Sequence, residues 1–169
     1  MTGAAVSAGP SLETLHAEMQ IRHIISIIAH MADCADEEHL RTVYADCWAE
    51  DALWEARHNA MRGGGYQTTR RGRADIIAGA LERLKSGWTG PGSNTMHVIG
   101  THWIKVEGSL ARALSNFVYL RRDGTQIAPV TMGVYDDEFR NEGGVWRIAR
   151  RRLMEPGTMP EFFPHQTRG

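Results

Sequence analysis

The sequence predicts an α+β protein, with helices first and a curved, mainly antiparallel sheet after them. Three observations carry this. As far as Leu84 most apolar residues recur at helical spacing; from Met96 the spacing changes to alternation. The turns between the alternating runs are also too short to join parallel neighbours. Helices segregated in sequence from an antiparallel sheet give this class.

The first helix opens at Ser11, whose hydroxyl can cap free amides, with Glu13 well placed for the helix dipole. It runs from Leu12 to about Asp33. Its apolar stripe shifts from Leu12, Leu15 and Met19 to Ile24, Ile25, Ile28, Met31 and Ala32, as in a helix sandwiched between other elements. Asp36 caps a second helix, with Glu37 and Glu38 at its positive end and Leu40, Val43, Tyr44, Cys47 and Trp48 on one face. Glu50-Asp51 ends it, and Ala52–Glu55 reads as a short strand. Arg57–Arg71 is polar, carries Gly63-Gly64-Gly65, and is expected to be a loop. A third helix spans about Arg73 to Leu84, with Ile76, Ile77, Ala80, Leu81 and Leu84 on one face. Lys85–Thr95 is a second loop. Four strands follow: Met96–Val106, Leu110–Arg122, Ile127–Asn141 and Val145–Met154.

At 169 residues the chain fits one domain large enough to bury a core, expected over 11–154. Residues 1–10 are expected to be a disordered tail, and 155–169 a second tail whose Phe162-Phe163 pair suits a pocket mouth or a neighbouring subunit. A net charge of −1 supplies no field to recruit nucleic acid or an anionic membrane. The longest apolar stretch, Ile24–Met31, is too short to span a bilayer. Cys34 and Cys47 lack metal or redox spacing and read as reduced thiols. Met1–Gly9 lacks the features of a signal peptide, which points to the cytoplasm. The histidines show no HxxxH, HxH or facial-triad spacing, so no metal site is expected.

Several pieces occur in one order: Ile21–Asp33 followed by Asp36; Trp48-Ala-Glu-Asp51-Ala-Leu-Trp54; Gly72-Arg73-Ala-Asp-Ile76; Thr95-Met-His97-Val-Ile-Gly; Gly133-Val-Tyr135-Asp-Asp-Glu-Phe139; and Gly144-Val-Trp146-Arg147-Ile148. This series, over roughly Leu12 to Leu153, resembles the SnoaL-like branch of the nuclear transport factor two-like superfamily. Its relatives include scytalone dehydratase, hexachlorocyclohexane dehydrochlorinase, bile-acid dehydratase, ketosteroid isomerase and small polyketide cyclases. The ordered set is specific for a fold and much less so for an activity. The resemblance implies a cone-shaped α+β barrel whose pocket is closed by the first helix and the sheet. It also implies an Asp near the end of that helix orienting a His at the start of a strand, and Asp33 and His97 match those positions. The spacing from Asp33 to Trp54 is about one helical turn longer than usual, which leaves Asp36 as a competing partner. A Tyr or Lys often found five residues before the Asp is Ile28 here. Tyr119 and Tyr135 are the candidates to replace it.

A neutral imidazole can take a proton near neutral pH, and a carboxylate on its other nitrogen fixes the tautomer. In an apolar pocket such a pair could drive elimination of water or halide, or migration of a double bond, without a cofactor. Read without the resemblance, His97 is a structural strand histidine and Asp33 a helix-end acid. Alternation puts His97, Ile99, Thr101 and Trp103 on one face and His102 on the other. Ile28, Trp48, Trp54, Trp103, Phe117, Tyr119, Met132 and Val134 are candidate substrate-binding residues. Each also reads as plain core, but together they suggest an apolar, ring-sized substrate. Arg147, Arg150, Arg151 and Arg152 are expected on a solvated or subunit-facing edge, paired with Asp136, Asp137 and Glu138. A phosphate site is the sharper alternative. The expected function is a cofactor-free lyase or isomerase with His97 as base. The alternatives are a structural β-subunit of a ring-hydroxylating dioxygenase or a small-molecule binding module. An open apolar sheet face predicts a homodimer or homotrimer.

Overall fold

A computed structural model describes residues 9–58 and 66–154. The two expected tails lie wholly or almost wholly outside these residues, as do Gly63-Gly64-Gly65 and Phe162-Phe163.

Helix α1 (Leu12–Cys34) starts where Ser11 accepts a hydrogen bond from the Thr14 amide at 3.1 Å. Ala17, Ile21, Ile24, Ile25 and Ile28 are its buried stripe. Leu12, Leu15 and Met19 stand in solvent, so one face of the helix is covered rather than two. The second helix is shorter than the periodicity suggested: α2 is Glu37–His39, followed by a π-helical turn over Leu40–Tyr44. The wider turn breaks the expected stripe, leaving Val43 40% exposed while Tyr44 is buried at 4%. Trp48 then begins strand β1 (Trp48–His58) rather than closing a helix.

Tyr66–Arg71, within the expected loop, is strand β2, paired antiparallel with β1. Its polar residues suggested a loop because an edge strand needs no second apolar neighbour. Helix α3 (Arg73–Lys85) buries Ile76, Ile77, Gly79, Ala80 and Leu81. Strands β3 (Thr95–Glu107), β4 (Leu110–Asp123), β5 (Gln126–Glu142) and β6 (Val145–Met154) form the expected meander. The six-stranded sheet has the order β2-β1-β6-β5-β4-β3. Only the β1–β6 pairing is parallel.

The helices pack on the inner face of this sheet. Ile21, Ile25, Trp48, Phe139 and Ile148 fill the space between them, each at most 1% exposed. Among the described residues, no helix is long and apolar enough to cross a membrane. Both cysteines are free, Cys34 exposed and Cys47 buried, and burial pushes the Cys47 thiol up to about 11.

Candidate functional site

Asp33 lies in the last turn of α1 and His97 near the start of β3. One Asp33 oxygen, Oδ1, is 2.6 Å from His97 Nδ1, and the other, Oδ2, accepts the His97 backbone N–H at 2.7 Å. The carboxylate therefore grips both the ring and the backbone of one residue. Both side chains are about 15% exposed. Asp36 is engaged elsewhere: it caps α2 through the His39 amide and contacts the His39 ring at 2.7 Å. The His97 ring lies against Tyr119, centroids 4.5 Å apart, and the Tyr119 hydroxyl donates to the Trp88 carbonyl. With Nδ1 on Asp33, Nε2 is the ring atom left for chemistry; no hydrogen bond to it is found among the described residues.

A β-bulge changes what lines the interior. Ile99 is opposite Phe117 and His102 opposite Ser115, so Gly100 and Thr101 together face Asn116. Beyond the bulge the alternation inverts. Trp103, expected beside His97, points outward and is 37% exposed. His102, expected outside, turns inward, and its Nδ1 lies 2.9 Å from the Ser115 hydroxyl. Burial holds the His102 pKa below its usual value, with Arg22 acting in the same direction. Met132, 59% exposed, and Val134 alternate with the inward Gly133 and Tyr135 and so face outward. Ile28, Trp48, Phe117 and Tyr119 are buried, and Trp54 is partly buried beneath Arg83. Of the two candidate replacements for Ile28, Tyr119 spends its hydroxyl on Trp88. Tyr135 is stacked on Phe117 at 4.2 Å, and burial pushes its phenol well above the usual range.

The arginine run belongs to a central strand rather than an edge, because β6 lies between β1 and β5. Arg112, Asp136, Arg152, Glu138, Arg150 and Glu55 form a ladder of ion pairs on the outer face. Arg151 points the other way, into the core, and forks onto Asp137 with two bonds of 2.7 Å. These guanidinium groups already hold carboxylates, which removes the basis for a phosphate site.

A cavity with room for about one water-sized body lies among Ala32, Leu40, Tyr44, Ala80, Arg83 and Thr89. None of its polar members was singled out as a site residue from the sequence. Tyr44 reads there only as one more residue of a helical stripe.

The profile of the SnoaL-like domain family matches residues 13–152. The chain belongs to this family. Solved structures place its SnoaL-like fold among nuclear transport factor two-like proteins. One, an NTF2-like protein with a cystatin-like fold from Novosphingobium aromaticivorans, is 21% identical with a TM-score of 0.64, over 89% of this chain and 94% of that one. A protein of the same organism, assigned as the beta subunit of an aromatic-ring-hydroxylating dioxygenase, is 19% identical with a TM-score of 0.63, over 88% and 95%. LinA is 19% identical with a TM-score of 0.61, over 86% and 94%. No curated protein matches the chain. At these identities the structural likenesses establish the SnoaL-like fold and leave activity to the site itself.

Proposed function

We propose that this SnoaL-like protein is a cofactor-free lyase or isomerase that takes a proton from a small hydrophobic cyclic substrate. His97 is the general base and Asp33 its orienter. The supporting observation is the double grip of Asp33 on the His97 ring and backbone. A carboxylate only accepts, so Nδ1 carries the proton and the Nε2 lone pair is free to act. Abstraction next to a carbonyl or leaving group makes an imidazolium that Asp33 stabilises. Loss of water or halide then gives an alkene, or return of the proton at another carbon moves the double bond.

The test is a panel of cyclic alcohols, halides and enones incubated with wild type and His97→Gln. Elimination or isomerisation by wild type, reduced about 10²–10⁴-fold in the variant, is the expected result. Turnover that survives His97→Gln, or a wild type inert to the whole panel, would sink the reading. A second reading, a structural dioxygenase subunit, draws on the fold likeness to the beta subunit. Co-purification with an iron-binding α-subunit would establish it.

We also place a self-association surface on the outer face of the sheet. Met96, Val98, Trp103, Val130 and Met132 are all at least 37% exposed there, beside the ion-pair ladder. Alternating charges next to an apolar patch are self-complementary under a two-fold axis. Trp103→Glu with Met132→Glu is expected to convert an oligomer to monomer in light scattering, with unchanged circular dichroism. A monomeric wild type, or an oligomer indifferent to both changes, would refute this surface.

A further inference from the structure

We propose that Arg83, Tyr44 and Thr89 form an oxyanion-binding corner of the site. It would take a negatively charged oxygen, supplied by a substrate carboxylate or by the enolate that proton abstraction creates.

The cavity described above is lined by the apolar Ala32, Leu40 and Ala80 and by the polar Arg83, Tyr44 and Thr89. Arg83 differs from the other arginines around the interior. Arg151 is tied to Asp137, Arg70 to Asp75 and Glu82, and Arg73 to Glu50 and the Trp48 carbonyl. Arg83 makes no ion pair or side-chain hydrogen bond among the described residues; it lies over the Trp54 ring, 5.7 Å from its centroid. Partial burial of a guanidinium without an anion is unfavourable, and a ligand oxygen would relieve it. The planar fork suits a carboxylate in particular, and the Trp54 face holds it in one orientation.

Tyr44 reaches this corner through the π-helical turn, an element often found at functional sites. It is 4% exposed, and burial raises its phenol pKa, which keeps the hydroxyl protonated as a donor. Thr89, 8% exposed, adds a second hydroxyl. Two neighbours of the corner lead to the Asp33–His97 pair. Ala32 immediately precedes Asp33 and accepts the Gly90 amide at 3.2 Å, and the Trp88 carbonyl is held by the Tyr119 that lies against His97. The cavity admits one oxygen rather than a ring. A bound substrate would place its oxygen here and the rest of its body toward His97, where donors fixed in advance would favour developing negative charge.

The enolate arm rests on His97 as the base, whereas the carboxylate arm does not. Full-length protein is titrated with benzoate, 4-nitrophenolate and neutral benzyl alcohol, and binding is followed by tryptophan fluorescence and by amide NMR shifts. The expected result is anion binding about tenfold or more tighter than benzyl alcohol, lost about tenfold in Arg83→Met and less in Tyr44→Phe. Arg83→Lys should restore part of it, and His97→Gln should leave it intact. Benzoate binding assigns the corner to a carboxylate; nitrophenolate binding without benzoate assigns it to an enolate. Equal affinity for neutral and anionic probes, no binding of either anion, or anion binding unchanged in a folded Arg83→Met would overturn the proposal. Anion binding that persists when the elimination panel fails would remove the lyase reading and leave this corner standing.

Discussion

Asp137→Ala is expected to destabilise the fold by about 3–5 kcal/mol, a large share of the roughly 5–15 kcal/mol that holds a domain together. Asp137 is completely buried and Arg151 is 4% exposed. Burial pushes the Asp137 carboxyl up, and the Arg151 guanidinium opposes that. On the guanidinium burial acts downward and the Asp137 carboxylate upward; the net direction is up, so Arg151 stays charged. Two bonds of 2.7 Å from one fork require an acceptor on both oxygens, which the carboxylate provides. Removing Asp137 leaves a cation inside the core against the faces of Tyr135, at 4.3 Å, and Trp48, at 5.8 Å, with no carboxylate bound to it among the described residues. On the outer ladder Glu138, 42% exposed, shares its arginines with other acids, and Glu138→Gln should cost at most about 1 kcal/mol. The combined change Asp137→Leu with Arg151→Met should recover most of the loss, since an apolar pair has no charge to desolvate. Urea unfolding of the four proteins checks this. A single Asp137→Ala no weaker than Glu138→Gln would show that the buried pair contributes little.

These two acids, Asp137 and Glu138, are consecutive and look alike in the sequence, and the difference between them shows where sequence reasoning stops. Period alone located α1, α3 and the four strands of the meander, because each has one apolar face and short turns. It failed where a single residue changes the count. The bulge at Gly100-Thr101 exchanges the places of Trp103 and His102, and the irregularity between Ile148 and Arg150 turns Arg151 inward within a run that reads as surface charge. A glycine inside the β3 pattern was the available signal for the first. Nothing comparable marks the second, since one inward arginine needs one inward acid, and pairing across strands is visible only in three dimensions. The π turn hid Tyr44 for the same reason, by adding a residue to a helical stripe. Strand β2 was missed because an edge strand can be polar throughout. The contact of Asp33 with His97 spans 64 positions, and only the family resemblance pointed to it.

Asp33→Asn is expected to lower turnover about 10²–10⁴-fold in a protein that remains folded. The size of the effect follows from what Asp33 touches. Its Oδ2 accepts the His97 backbone N–H, a group that can only donate, and its Oδ1 faces Nδ1. An asparagine has one accepting oxygen. If that oxygen keeps the backbone amide, the side-chain NH₂ meets Nδ1, which must then accept. The ring proton moves to Nε2, the lone pair needed for abstraction is lost from the substrate side, and no negative charge remains to stabilise the imidazolium. If the asparagine flips, the backbone amide loses its partner at a site only about 15% exposed, and ring and backbone are no longer held by one group. Nitrogen-15 shifts of the His97 ring distinguish the two forms directly: Nδ1–H in wild type, Nε2–H in Asp33→Asn. A variant that keeps the wild-type tautomer and wild-type turnover would mean that Asp33 holds the strand in place without governing the imidazole, and the base would have to be sought at the other inward histidine, His102.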